Sequence, residues 1–241
     1  MDLPRLSEMI YQRRSVRKYK KGTPSEEVLS DIVASFGALR PLYPDIRCEL
    51  KLLSRGDVRT LMPWMPECAV AVFSETGEGY LENVGFILEQ LDLYIQSLGL
   101  GSCWVGLARP KRRELIPEGM EFVMLLAFGE TEVAERSGAS DFKRRDMAEI
   151  TDRPDARLEP ARLAPSSVNS QPWYFAACEG GFDVYRRKLV RTSGLTRMNV
   201  IDVGIALAHI YVSSPDTFSA QTRADAPERE GMEYITTVSI D

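Results

Sequence analysis

Residues 165–175 read PSSVNSQPWYF, and this stretch is the most informative part of the sequence for predicting the fold. Two prolines, three serines and two carboxamides are incompatible with a regular helix and typical of an ordered loop, and the aromatic run after them predicts a strand that begins at Trp173. Carboxamides donate and accept hydrogen bonds, which suits the edge of a heterocycle that alternates carbonyl and N–H groups. They also satisfy the backbone of ordinary turns, so both interpretations stay open on these residues alone.

Helices and short strands alternate irregularly upstream of this loop. The sequence Thr23-Pro24-Ser25-Glu26 is typical of a capping box, and apolar residues then recur at helical spacing up to Gly37. A longer helix is predicted over 81–98, with Gly99 as its stop. Strands are predicted at 49–53, 69–73, 102–105 and 121–128. Because the order shows no regular βαβ alternation, we expect an α+β layered fold rather than a doubly wound one.

Composition places the chain among ordinary globular proteins. It has 241 residues, 44% hydrophobic and 27% charged, enough to bury a sizeable core. The net charge of −5 argues against nucleic acid or an anionic membrane surface as the main partner. The longest apolar run has seven residues, at 122–128, and no leader pattern is visible, which predicts a cytoplasmic protein without a transmembrane helix.

Metal and hydrolytic chemistry are disfavoured by the residue inventory. The four cysteines are widely spaced, and three lie in strand-like apolar stretches, as buried inert thiols do. There is one histidine, His209, on an apolar face, where we expect it to be a packed or hydrogen-bonded core residue. We therefore expect neither a metal centre nor a serine hydrolase triad.

Two short sequences occur twice in the same order. EGMEF at 118–122 is matched by EGMEY at 230–234, and NVG at 83–85 by DVG at 202–204. Residues 131–162 between the two parts are rich in charge and poor in large apolar side chains, as a connector would be. The chain is therefore predicted to contain an internal duplication.

A dense cationic cluster lies near the N-terminus. Residues 13–21 read RRSVRKYKK, with six basic side chains. One interpretation is a solvated, frayed helix end, and the other is a clamp in which guanidinium groups pair with phosphate oxygens. The residues alone do not separate these interpretations, nor a cofactor phosphate from that of RNA.

Three motifs together resemble the nitroreductase family of FMN-dependent flavoproteins: RRSVRKY at 13–19, GLGSCWVG at 99–106 and PSSVNSQPWYF at 165–175. The resemblance spans nearly the whole chain and implies a layered α-β-α fold with FMN as cofactor. It implies phosphate contacts from Arg13, Arg14, Ser15 and Arg17, with Lys143 and Arg145 closing over the phosphate. It also implies flavin contacts from Pro165, Ser166, Ser167, Asn169 and Gln171, and backbone contacts from Val105 and Gly106. It implies no catalytic side chain, because the flavin carries the chemistry.

One departure from the family pattern is large. In typical members the loop follows the RRSxR segment closely and meets it across a homodimer interface, whereas here the two are about 150 residues apart. At the expected early position, 38–45, the chain has no carboxamide. With the duplication, this predicts a single chain that mimics the family homodimer: one globular unit, 1–241, of two pseudo-repeats at about 1–150 and 151–241. A monomer or weak dimer with one FMN per chain follows.

The activity that the resemblance implies is hydride transfer from NAD(P)H through the flavin to a small organic acceptor, such as a nitroaromatic or a quinone, with ping-pong kinetics. Two alternatives stay open. One is a flavin enzyme of another reaction type, such as a dehydrogenase or dehalogenase. The other is a non-catalytic protein that binds or sequesters flavin.

Overall fold

Two four-stranded antiparallel sheets organise the computed structural model, which describes residues 1–188 and 193–240. In chain order the strands are β1 (Cys48–Ser54), β2 (Val58–Thr60), β3 (Cys68–Ser74), β4 (Gly101–Val105), β5 (Ala108–Pro110), β6 (Glu121–Gly129), β7 (Trp173–Cys178), β8 (Gly181–Arg187), β9 (Phe218–Gln221) and β10 (Met232–Ile240). The first sheet has the order β1-β3-β6-β4 and the second β7-β8-β10-β9. The two sheets thus repeat one topology, and β2 with β5 forms a separate two-stranded ribbon.

The helices are α1 (Leu3–Met9), α2 (Glu26–Ser35), α3 (Tyr80–Ser97), α4 (Met147–Ile150), α5 (Glu159–Leu163) and α6 (Ser193–Ser213). The two long ones, α3 and α6, pack against each other. Nearly every side chain of α3 from Glu82 to Ser97 is buried, polar ones included. Such all-round burial is typical of a helix in the centre of a core.

The contact between α3 and α6 depends on two glycines. A Cβ added to Gly85 would lie 2.1 Å from the carbonyl oxygen of Ile201, and one added to Gly204 would lie 2.0 Å from that of Glu82. Each glycine therefore touches the residue three positions before the other glycine. A side chain at either position would separate the helices, so the sequence repeat NVG/DVG coincides with their crossing point.

The predicted α+β architecture is confirmed, and so are the strands at 49–53, 69–73, 102–105 and 121–128 and the helix at 81–98. Two helix starts differ from the prediction. The side chain that caps α2 is Ser25, whose hydroxyl accepts a hydrogen bond from the Val28 N–H at 3.3 Å, rather than Thr23. Helix α6 begins at Ser193, so Asp202 lies inside the helix instead of opening it.

Helix α6 is also long and apolar enough to cross a membrane by length and composition, from Gly194 to Ser213. Of its most apolar window, 67% is buried inside the protein. Burial of this kind is typical of the core helix of a globular protein, and the packing against α3 accounts for the apolar composition.

Candidate active site

A pocket of about 620 Å³, open to solvent, lies where segments from both ends of the chain meet. The N-terminal segment contributes Ser15 and Arg17 to its wall, and the end of β4 contributes Cys103, Trp104 and Gly106. The loop after α5 contributes residues 165–168, and α6 contributes Met198, Ile201, Asp202 and Ile205. Three motifs that are far apart in the sequence thus line one cavity.

The N-terminal segment reaches the pocket by running alongside β4. The Val16 N–H donates to the carbonyl of Ser102 at 2.8 Å, and Ser15 and Ser102 form a parallel bridge. A Cβ on Gly101 would lie 2.8 Å from a methyl group of Val16, so this glycine permits the close approach. The segment is therefore fixed to β4 by backbone contacts.

Arg17 is exposed at the pocket, with its guanidinium 5.9 Å from the centre of the Trp64 ring. Among the residues that the structure describes, none hydrogen-bonds or ion-pairs with it. A free guanidinium at the mouth of a pocket is suited to an anionic group of a ligand.

Arg13 and Arg14 are differently placed. Arg13 is 1% exposed, and its Nε donates to Asp92 of α3 at 3.0 Å. Arg14 is half-buried, and it donates to the carbonyl of Ala134 at 2.8 Å. In this structure both side chains hold the N-terminal segment to its surroundings, and their contact with a phosphate stays a prediction.

The loop from 165 to 172 has a strained backbone. Val168, Asn169 and Gln171 have φ angles of 48°, 57° and 49°, in the left-handed region that glycine favours. For the β-branched Val168, which is 80% exposed, this conformation is especially unfavourable. Strain of this kind persists only when the surroundings hold it, and it is concentrated at functional sites.

Hydrogen bonds to residues 143–145 hold the loop in this conformation. The Asn169 side chain donates to the carbonyl of Lys143 at 3.1 Å, and the Gln171 side chain accepts from the Arg145 N–H at 2.7 Å. Arg144, which sequence reasoning did not single out, donates to the Asn169 side chain at 2.8 Å and to the carbonyl of Leu163. The structure thus brings the two predicted segments together, through the backbone of Lys143 and Arg145. Neither of their side chains lines the pocket, and the direct ligand contacts of Lys143, Arg145, Asn169 and Gln171 stay predictions.

At the end of β4, Gly106 lines the pocket and the buried Val105 does not. A Cβ at position 106 would lie 2.3 Å from the terminal methyl of Met198 on α6. Gly106 therefore lets the strand end approach α6 closely, with the Met198 side chain packed against it. Pro165, Ser166 and Ser167 also line the pocket, as a ligand-binding loop would.

Asp202 of α6 is a buried acidic residue in the pocket wall that the sequence did not identify as a site residue. One carboxyl oxygen accepts from the Ser167 N–H at 3.0 Å, and burial raises the pKa of the group to about 8. Asp202 is therefore protonated at neutral pH, held against the loop by that hydrogen bond. In the sequence Asp202 is marked only as an acidic residue inside an apolar helix. Many residues without a role in a site share this pattern, so it does not identify a site residue.

Next to the pocket lies a fully buried pair, His209 and Glu89. His209 Nδ1 lies 2.8 Å from the carbonyl of Pro160, which can only accept, so this nitrogen carries a proton. Burial lowers the pKa of His209 to about 3 and raises that of Glu89 well above its usual range. His209 Nε2 lies 2.8 Å from the Glu89 carboxyl, which also accepts from the indole N–H of Trp104 at 3.1 Å and has the Arg13 Nε 3.8 Å away. The prediction that His209 is a hydrogen-bonded core residue is confirmed.

Fold and pocket together define an α+β protein built as nitroreductases are. The crystal structure of a protein from Thermotoga maritima, described as a "putative nitroreductase", superposes with a TM-score of 0.68 at 21% identity, over 98% of this chain and 93% of that one. Residues 5–214 match the family described as "Putative TM nitroreductase", and the chain belongs to this family.

Two further solved structures resemble part of the chain. A nitroreductase family protein from Clostridium difficile has a TM-score of 0.48 at 18% identity, over 60% of this chain and 95% of that one. A protein of Desulfovibrio desulfuricans, crystallised in complex with FMN, has a TM-score of 0.47 at 18% identity, over 62% and 96%. Among curated protein sequences none matches the chain.

Proposed function

We propose that the protein is a cytoplasmic FMN-dependent oxidoreductase. It takes hydride from NAD(P)H and passes it to a small organic acceptor such as a nitroaromatic or a quinone. One observation carries the proposal: the pocket joins Ser15 and Arg17, the end of β4 and the 165–168 loop, although these segments are up to 150 residues apart. Family membership adds support, since relatives are named as FMN-dependent and NAD(P)H nitroreductases.

The residues present fit FMN. Arg17, which has no hydrogen-bond or ion-pair partner among the described residues, supplies a positive charge for the phosphate, and Ser15 supplies a hydroxyl beside it. Gly106 lines the pocket and has no side chain, so its backbone is available to a flat ring system. The strained loop presents Ser166 and Ser167 on the opposite side of the pocket.

The bound flavin would supply the hydride chemistry, and the chain supplies position and charge. Arg17 binds the phosphate and so fixes the cofactor at one end. Asp202, protonated at neutral pH, holds the loop through the Ser167 N–H and adds no negative charge to the pocket. The aliphatic side chains of Ile201 and Ile205 exclude water from the floor.

The first test is the absorption spectrum of the purified protein, with flavin released and counted. We expect flavin bands, one FMN per chain and a mass in solution near 27 kDa, the mass of one chain. A stable dimer that holds each flavin across an intermolecular interface would contradict the composite pocket within one chain. Purified protein that neither carries nor takes up FMN would overturn the proposal.

The second test separates an enzyme from a flavin-binding protein. Anaerobic mixing with excess NADH or NADPH should bleach the flavin band, and turnover with a quinone or nitroarene should give parallel double-reciprocal lines, because both substrates use one site in turn. If dithionite bleaches the flavin and neither nicotinamide does, hydride transfer from NAD(P)H is wrong and a flavin-sequestering role is the better account.

A further inference from the structure

A second cavity lies at the start of α3. It has about 1140 Å³ of space, including its open mouth. Its wall includes Tyr43 from the loop after α2, Tyr80 and Glu82 from the start of α3, Thr222 after β9 and Tyr234 of β10. None of these residues lines the first pocket, so the two cavities are separate.

The second cavity is built from the positions that correspond to those of the first. Ile201 lines the first and Glu82 the second, and each lies three residues before one of the two crossing glycines. Gly106 directly follows β4 and Thr222 directly follows β9, the matching strands of the two sheets.

The loops beside the two cavities are held in the same way. Beside the first cavity, Asp202 accepts a hydrogen bond from the Ser167 N–H. Beside the second, Asn83 accepts hydrogen bonds from the Leu42 N–H at 2.8 Å and from the Tyr43 N–H at 3.0 Å. Each cavity is thus lined by a loop, by part of one of the two long helices and by the residue after a strand. The helix is α6 at the first cavity and α3 at the second, and the strands are β4 and β9.

The charge of the two cavities is opposite. Arg17 has no basic counterpart among the described residues that line the second cavity, and the acidic residues there are Asp45, Glu78, Glu82 and Glu233. Glu233 is paired with Arg186, and the Arg197 guanidinium that lies over Tyr80 is paired with Glu121. With Arg186 and Arg197 both paired, the remaining acidic residues disfavour an anionic group such as the FMN phosphate in this cavity.

Glu82 is the residue that points to a ligand. It is 8% exposed, it lines the cavity, and in the described chain the only group that hydrogen-bonds its carboxyl is its own backbone N–H. The carboxyl oxygens are not among the buried unpartnered atoms of the described chain, so they face the open cavity, with Arg186 as the nearby cation. A carboxyl that lines a cavity and receives no hydrogen bond from another described residue is available to a cationic ligand. Its counterpart Ile201 shows that an apolar side chain fits the same position, so packing does not require a carboxyl there.

We propose that this second cavity binds a small organic cation with an aromatic or other flat body, with its ammonium group at Glu82. The half-buried rings of Tyr43, Tyr80 and Tyr234 provide apolar and π surfaces around the carboxyl, which together are what such a cation requires. The Tyr43 ring is fixed against Gly79, where a Cβ would lie 2.6 Å from it.

Calorimetric titration with benzylammonium tests the site, in phosphate buffer so that no buffer amine competes. Benzyl alcohol and benzoate serve as the neutral and anionic probes of the same shape. We expect saturable binding of one benzylammonium per chain, and binding of the alcohol and of benzoate weaker by at least about tenfold. Equal affinity for benzylammonium and benzyl alcohol, or no saturable binding of benzylammonium up to about 10 mM, overturns the proposal.

The variant Glu82→Gln locates the charge. It keeps the side-chain shape, and we expect it to weaken benzylammonium binding at least about tenfold while leaving benzyl alcohol unaffected. Glu118→Gln, at an exposed turn, should bind as the unaltered protein does. Arg17→Ala should also bind benzylammonium normally, so the result is independent of the FMN proposal. Unchanged binding by Glu82→Gln would place the cation elsewhere and overturn the assignment.

Discussion

Gly85 and Gly204 contact each other's helix in the same way, each against the carbonyl of the residue three positions before the other. A local two-fold relation between α3 and α6 produces such reciprocal contacts, and the matching strand orders of the two sheets extend it. The internal duplication stays a proposal, and this relation supports it.

Gly85→Ala and Gly204→Ala should destabilise the protein by similar amounts, about 3 kcal/mol each, because either Cβ must push the opposing backbone away. Urea unfolding measures the loss. Gly194→Ala is the matched control, since a Cβ there meets nothing within 4 Å and alanine favours a helix. Equal midpoints for all three variants would show that the helices can separate without loss.

Arg17→Ala should weaken FMN binding roughly ten- to hundredfold, because it removes the guanidinium free to pair with the phosphate. Riboflavin, which has no phosphate, should bind the variant and the unaltered protein alike. Fluorescence titration of flavin-free protein measures both constants. Lys111→Ala, an exposed cation outside the pocket wall, is the control, and a loss of riboflavin affinity with Arg17→Ala would contradict a phosphate contact.

Asn169→Ala should weaken FMN and riboflavin together, up to about tenfold, since the loop loses its bond to the Lys143 carbonyl and alanine is disfavoured at a φ of 57°. Asn169→Gly separates the two causes, because glycine accepts this φ and lacks only the carboxamide. If both variants bind FMN normally, the loop is an ordinary turn and the predicted flavin contact of Asn169 is wrong.

Glu89→Gln should change the unfolding free energy by less than about 1 kcal/mol, whereas Glu89→Ala should lose about 3 kcal/mol or more. A glutamine amide can donate to His209 Nε2 and accept from Trp104, so both contacts of the Glu89 side chain are kept. Urea unfolding at pH 7 distinguishes the variants. A glutamine variant as unstable as the alanine one would mean that the Glu89 carboxyl acts as an anion beside Arg13.

Stability in flavin-free protein should fall as the pH rises from about 4 to about 7, in part because of Glu82. Burial raises its folded-state pKa to about 7, so in this range the native state holds a proton that the unfolded state has lost. Glu82→Gln should flatten this slope and gain up to about 3 kcal/mol above pH 7. Asp202→Asn should remove a second contribution of the same sign, which extends to its pKa of about 8. A slope unchanged in both variants would contradict the raised pKa values.

The sequence predicted the long helix and the strands of the first sheet well, because each has strong apolar periodicity and a clear stop. It misplaced the cap of α2 because Thr23, with Glu26 three residues later, fits the capping-box pattern, whereas Ser25, which caps the helix, has Val28 at that position. The start of α6 was missed since its first turns lack an apolar stripe: helix α6 is buried on all sides only in its second part.

The motifs predicted which segments meet at the pocket, but not which side chains face it. Arg13 and Arg17 are both basic residues of one motif. Arg13 lies in the core because it pairs with the buried Asp92 of α3, which the motif does not reveal. Arg144 lies between two residues chosen by resemblance, yet it is the one whose guanidinium contacts the loop. Such choices depend on long-range packing, which one sequence does not record.

The two walls of the FMN pocket come from opposite ends of the chain, and this bears on synthesis. A nascent chain that has emerged only as far as β6 holds Arg17 and Gly106 but lacks the loop and α6. No ligand that needs both walls of this pocket can stabilise it at that stage. Translation of almost the entire protein therefore precedes any rescue of a destabilised variant by added flavin.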